Sequence, residues 1–290
     1  MKSGQTILAA ALTTLIVFGG LKLAGIGGAG TTLVSDQPAF DRVTKTRTIR
    51  CAYATWAPYI TVDPNTKKLS GFAYDIFEQV GKILNMKVEW TEEIPWSQVA
   101  DNLKTGRNDV MCNTVWPSGN RALPLDFTMA IDYIPAYAFV RADDTRFDGN
   151  LTAINDPGVT VAVIDGDFSQ AIPSEDYPSA KQLSLSMDSD GAQLLLAVTT
   201  KKADVTFVDP FMAFEFAKHN PGTIKQVANA QAVRVFGDSY AVDKGETKLR
   251  DTINLALEQL NQSGFIRQTL DKYLGEHKGM YFYPAQPYEK

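Results

Sequence analysis

Ile49-Arg50-Cys51-Ala52-Tyr53, Trp56-Ala57-Pro58-Tyr59 and Leu69-Ser70-Gly71-Phe72-Ala73-Tyr74-Asp75-Ile76 decide the fold. The first five residues read as a short buried strand. The next four read as a turn carrying two aromatics, and Asp63-Pro64-Asn65-Thr66 as a second turn. Gly71 then opens a helix, because Ala73, Ile76, Phe77, Val80, Ile83 and Leu84 recur at helical spacing. Working outward, residues 88–91 read as a strand, 96–103 as a short helix stopped by Gly106, and 109–115 as a strand. Such alternation predicts a parallel sheet covered by helices.

An extended segment at 139–144 is expected to cross out of this lobe, and a second alternation follows Pro157. It runs through strand 159–164, a helix from Gly166-Asp167-Phe168-Ser169, strand 183–185 and helix 192–199 behind Asp188-Ser189-Asp190-Gly191. Strand 203–208 and helix 209–219, ended by Asn220-Pro221-Gly222, complete it. Residues 233–242 cross back. An amphipathic helix follows, with Leu249, Ile253, Leu257 and Leu260 on one face, and after Ser263-Gly264 a last helix carries Phe265, Ile266, Leu270 and Tyr273. The expected fold class is α/β, in two lobes joined by two crossings.

The 290 residues carry 28 Lys and Arg against 33 Asp and Glu, a net charge of −5. That balance argues against nucleic acid as a partner, since phosphate binding needs a clustered basic surface. Residues 7–21 form an uncharged apolar run of 15 behind Lys2. This suits the core of a secretory leader better than a membrane span of about 20 residues. Small residues follow at 24–30, but without an Ala-x-Ala pattern, so removal and retention as an anchor both stay open. The expected organisation is a leader or anchor over 1–30, a linker over 31–47, lobe one over 48–138 plus 240–275, lobe two over 142–232 and a tail over 276–290. The body is expected to be exported to the periplasm. Cys51 and Cys112 read as two small core residues, with a disulfide open if their strands are neighbours with matched side-chain directions.

The order of these motifs resembles bacterial extracellular solute-binding protein family 3, the type II periplasmic binding proteins that serve polar amino-acid ABC transporters. The resemblance continues through Gly106-Arg107-Asn108-Asp109-Val110, Arg121 with Asp126-Phe127-Thr128, residues 159–166, Ala203-Asp204-Val205 with Asp209, and residues 249–264. It covers residues 48–275. It implies a periplasmic-binding-protein type II fold with two hinge crossings, closing over a small ligand to dock a membrane permease of an ABC transporter. It also implies no cofactor and a monomer. By position, the resemblance puts Trp56, Trp96, Asn113, Thr114, Trp116, Arg121, Asp167, Phe168 and Asp209 at the ligand, with Arg121 on its carboxylate and Asp209 on its ammonium.

The chemistry fits those residue types. An α-amino acid is a zwitterion; the planar guanidinium fork makes two parallel hydrogen bonds to a carboxylate, and helix N-terminal amides add donors. An aspartate accepts from the ammonium with full charge. Two departures stand out: Asp167 occupies a position that is neutral or hydroxyl-bearing in the family, and Trp116 replaces a small polar residue. One Arg against two Asp leaves the expected cleft net negative by one, and three tryptophans line it, a combination favouring a cationic or quaternary-ammonium ligand over an ordinary polar amino acid. The plainer alternative has Trp116 packing beneath the cleft and Asp167 capping its helix.

Asp188-Ser189-Asp190-Gly191 hints at a calcium loop, but the rest of that motif is missing and capping is the expected role. His219 and His277 read as solvated. No nucleophile elbow, phosphate loop or paired-histidine motif is present in the sequence. The expectation is a binding protein, not an enzyme. Two other classes are weighed: an anchored sensor or regulatory domain, and a cyclohexadienyl-type dehydratase with Asp167 or Asp209 as its acid.

Overall fold

The computed structural model describes residues 38–285. The expected leader, 1–30, lies outside them. The first run comprises helix α1 (Ala39–Thr46), strand β1 (Thr48–Tyr53), the hairpin β2 (Thr61–Val62) and β3 (Leu69–Ser70), helix α2 (Phe72–Ile83) and strand β4 (Lys87–Glu93). A single 3-10 turn, Trp96–Gln98, leads into α3 (Val99–Lys104), then β5 (Val110–Val115) and β6 (Leu125–Phe127). Strand β7 (Asp132–Arg141) carries the chain into the second run. There follow β8 (Thr160–Ile164), α4 (Phe168–Asp176), β9 (Lys181–Leu185), α5 (Ala192–Thr199), β10 (Val205–Val208), α6 (Pro210–His219) and β11 (Ile224–Gln226). Strand β12 (Arg234–Asp243) returns to α7 (Thr247–Gln262) and α8 (Phe265–Leu274).

The strands lie in the order β4-β1-β5-β12-β7-β10-β8-β9. Strand β1 is parallel to β4 and β5, and β8 is parallel to β9 and β10. Strands β7 and β12 run antiparallel to each other and to their outer neighbours β10 and β5. Each crossing strand is therefore shared. The β12 stretch Arg234–Asp238 pairs with β7, while Ser239 and Ala241 pair with β5. Parallel strands bury both faces, so each half needs helices on both sides. In the first half, α2, α7 and α8 pack Ile76, Phe77, Ile253, Leu257 and Leu270 against one face, and α3 places Val99 and Leu103 on the other. The second half repeats this with Phe168 and Ile172 of α4 on one face and Leu194, Leu195 and Val198 of α5 on the other. Gly71 enters α2 at φ +135°, and a Cβ there would stand 2.0 Å from the Tyr59 carbonyl oxygen, so only glycine fits this approach.

Four expectations change. The first crossing lies at Asp132–Ala136, not at 139–144, since residues 139–141 already pair with β10 and β11. Pro135 hides the strand in the sequence because proline lacks a ladder donor. Part of the expected linker is helix α1: Val43 is fully buried, and the Ala39 and Phe40 N–H groups donate to Glu246 at 2.7 and 3.2 Å. Two turns are too few for a helical period to show in sequence. Cys51 and Cys112 are core residues but not free thiols: they form a disulfide between adjacent strands, with Cα atoms 5.4 Å apart. Finally, His277 is not solvated; its ring centroid lies 3.8 Å from that of Phe214 on α6.

Candidate ligand-binding site

The carboxyl ends of the parallel strands and the helix starts that follow them converge on one cavity. This is where open α/β sheets leave a crevice. All nine residues expected at the ligand line it. Trp56 follows β1 and Trp96 opens the 3-10 turn; their rings meet edge to face with centroids 6.4 Å apart. Asn113 and Thr114 end β5. The Asn113 amide is committed to its own lobe, donating to the Ala54 carbonyl at 2.7 Å and accepting from the Thr114 N–H at 2.7 Å, so it braces the wall. Trp116 packs edge-on against Phe236 of β12, whose other neighbour is Phe168, stacked at 5.2 Å. Phe236 thus joins the aromatic walls of the two lobes. The Trp116 indole N–H is buried and has no hydrogen-bond partner among the described residues.

Arg121 lies with its guanidinium 5.0 Å above the Trp116 ring and donates to the Trp116 carbonyl at 3.2 Å. Burial pulls its pKa down, while Asp167 and Asp238 across the cavity push it back up. No carboxylate oxygen lies within 4 Å of it among the described residues. Asp167 caps α4, accepting from the Ser169 N–H at 2.9 Å, and borders the cavity as well. Capping and cleft placement are both true of it. The same holds for Asp209, which caps α6 through the Met212 N–H at 2.9 Å. It is 3% exposed, and burial raises its pKa against the pull of its hydrogen bonds.

Two further carboxylates, Asp165 and Asp238, line the cavity. With them the wall carries one Arg and four Asp, a formal net charge of −3 instead of the expected −1. Asp238 belongs to β12, which reads in sequence only as a crossing strand; the signal for it was an aspartate set between Phe236 and Tyr240 in a mostly apolar run. Burial pushes its pKa up to about 7, although the nearby Tyr59 hydroxyl, a hydrogen bond from Thr114 and the charge of Arg121 oppose the shift. Behind it lies Asp132 of β7, fully buried, with Tyr59 donating to one oxygen at 2.7 Å and no partner on the other among the described residues. Burial and the nearby Asp238 push Asp132 well above the carboxylate range.

The lobes also touch at the cavity mouth. Asp188, before α5, accepts from the Ser97 N–H at 3.0 Å and the Ser97 hydroxyl at 2.6 Å. Gly191 holds the N-cap position of α5, and Asp190 just before it accepts from the Ala192 N–H at 2.9 Å. The calcium-like run is thus spent on a latch and a cap. A Cβ on Gly191 would stand 2.4 Å from the Met212 methyl of its own lobe and 2.8 Å from the Trp56 ring of the other, so glycine lets the two side chains close over this position.

Over residues 49–276 the sequence matches the profile of the bacterial extracellular solute-binding proteins, family 3. It is 26% identical to the "Probable amino-acid ABC transporter-binding protein" of Haemophilus influenzae, across 81% of this chain and 88% of that protein. In structure it resembles the ancestral amino acid-binding protein AncCDT-1, a precursor of cyclohexadienyl dehydratase, at TM-score 0.68 and 23% identity, covering 82% of this chain and 99% of that one. It resembles equally a histidine kinase sensor domain similar to periplasmic binding proteins, at TM-score 0.69 and 22% identity, covering 83% and 100%. These structural likenesses bear on the fold: two α/β lobes.

Proposed function

The chain belongs to the bacterial extracellular solute-binding proteins, family 3, and from that premise we propose that its solute is an α-amino acid with a positively charged side chain. It is a binding protein rather than an enzyme. The observation that carries the reading is the charge of the cavity wall, one guanidinium facing four carboxylates among aromatic rings. Arg121 takes the ligand carboxylate, with the Trp116 N–H as a further donor beside it. Asp209 takes the α-ammonium. Asp238 and Asp165 leave negative charge for a second cation, since a buried charge without a counter-charge is costly. The name of the Haemophilus influenzae relative supports delivery to the permease of an ABC transporter.

Lobe two contributes Asp167, Phe168 and Asp209, and lobe one contributes Arg121 and the tryptophans. Ligand contacts made by both lobes favour the closed form over the open one, which is the requirement for a ligand to drive hinge closure. Calorimetry with arginine and citrulline, which differ in side-chain charge but scarcely in shape, tests the class. Arginine is expected to bind more tightly; equal binding overturns the cationic class, and no binding of either overturns the amino-acid reading. In Arg121→Ala, arginine is expected to lose more than about 30-fold in affinity, while agmatine, which lacks the carboxylate, is expected to be unaffected.

A further inference from the structure

The expected tail does not trail from the body. After α8 ends at Leu274, Phe282 exchanges two backbone hydrogen bonds with Tyr133 of crossing strand β7, at 2.9 and 2.8 Å. Phe282 thereby lies beside β7 on the edge that β12 leaves open. Tyr281 sits immediately before this bridge, 1% exposed, and its hydroxyl donates to Asp209 Oδ1 at 2.7 Å. Its ring stacks on Tyr59, the donor to Asp132, at 6.2 Å.

A carboxylate offers about four lone-pair sites. On Asp209 the Tyr281 hydroxyl, the Met212 N–H and the Phe211 N–H take three of them. One is left on a group that borders the cavity. The charged groups facing Asp209 from other elements are Asp167 at the start of α4, Asp132 on β7 and Asp238 on β12, all carboxylates. Among the described residues no cation lies within ion-pair distance of Asp209. Only its hydrogen-bond donors oppose burial and like charge, and Tyr281 is the one donor that is a side chain.

We propose that Tyr281 is a positioning residue of the binding site, reaching in from the segment after α8 to hold the Asp209 carboxylate in the orientation and ionised form that a ligand α-ammonium needs. This rests on the reading of Asp209 as the ammonium acceptor. A hydrogen bond to a charged group stabilises it strongly, and its loss in a buried site falls on whichever ligand depends on that charge.

The test compares arginine with 5-guanidinopentanoate, the same molecule without its α-ammonium, on the full chain by calorimetry at pH 6 and pH 8. The wild-type protein is expected to prefer arginine. Tyr281→Phe is expected to weaken arginine about 10- to 100-fold and to leave 5-guanidinopentanoate unchanged. Equal losses for both ligands, or an undiminished preference for arginine, overturn the proposal while the assignment of Asp209 stands. If the wild-type protein itself shows no preference, the Asp209 assignment fails and takes the proposal with it. Should the phenylalanine variant not fold, 3-fluorotyrosine at position 281 supplies the second measurement. A stronger donor there is expected to tighten arginine alone, and unchanged arginine affinity counts against the role.

Discussion

Asp132 and Asp238 are direct register partners on the two crossing strands, so two carboxylates meet at the hinge with no basic side chain in ion-pair contact among the described residues. Side chains opposite one another on antiparallel strands are close neighbours, and like charges there repel. Tyr59 supplies one donor and Thr114 another, the latter at a long 3.3 Å. The pair sits on the two crossing strands with Asp238 lining the cavity, which couples three properties: stability, protonation and occupancy.

Stability is expected to fall as pH rises through the hinge pair's titration. An unfolded aspartate titrates near 3.9 and folded Asp238 near 7, so between those values the folded state holds a proton that the unfolded chain has released. The stabilising proton is fully present below about pH 4 and lost by about pH 8. Asp238→Asn removes this dependence and is expected to stabilise the ligand-free protein at pH 8 by about 1–4 kcal/mol. Urea unfolding at pH 5 and pH 8 measures it, and a variant no more stable than wild type at pH 8 refutes the account.

Ligand affinity is expected to show the opposite trend. A cationic side chain seated against Asp238 favours the ionised carboxylate, so binding expels a proton. With the free group titrating near 7, arginine affinity is expected to rise about tenfold from pH 6 to pH 8. Calorimetry in buffers of different ionisation enthalpy reads the released proton directly; proton uptake on binding contradicts the placement.

The Ser97–Asp188 contact joins the lobes across the cavity mouth, outside the ligand site proper. Its loss in Asp188→Ala is expected to speed ligand release by about 2- to 10-fold, the worth of one or two partly exposed hydrogen bonds, with little change in association rate. Stopped-flow fluorescence from the cleft tryptophans resolves the two rates. A slower association with unchanged release would mean that the contact acts before closure.

The Cys51–Cys112 disulfide bridges 61 residues of sequence. On the chain-entropy view a loop of that length stabilises by about 4 kcal/mol. Urea titration with and without reductant is expected to show a lower midpoint for the reduced protein, and coincident curves would remove the bridge from the sources of stability.

Legibility in the sequence followed the strength of local signals. The helix from Phe72 was readable because its apolar positions recur over several turns, and the two-turn helix Ala192–Thr199 because a run of capping residues precedes it. The nine residues named from motif order all border the cavity, although order alone did not show that Asn113 is spent on its own backbone or that Asp209 is held from the segment after α8. Asp132 and Asp238 were missed for a different reason. Their significance lies in being opposite each other, and cross-strand register between residues 106 positions apart leaves no local trace. The tail carried a usable signal that composition understated: Met280, Tyr281, Phe282 and Tyr283 are too apolar a run to be left in water.

Gly191 leaves no room beside the Trp56 ring for even one methyl group. Alanine at this position would crowd Met212 of its own lobe as well as Trp56, and where Trp56 gives way instead of Met212 it would act as a doorstop, wedging the jaws ajar without touching any charge in the pocket. Such a variant would give the empty, gaping form a population large enough to characterise, and it would show how little bulk at the rim separates capture from release.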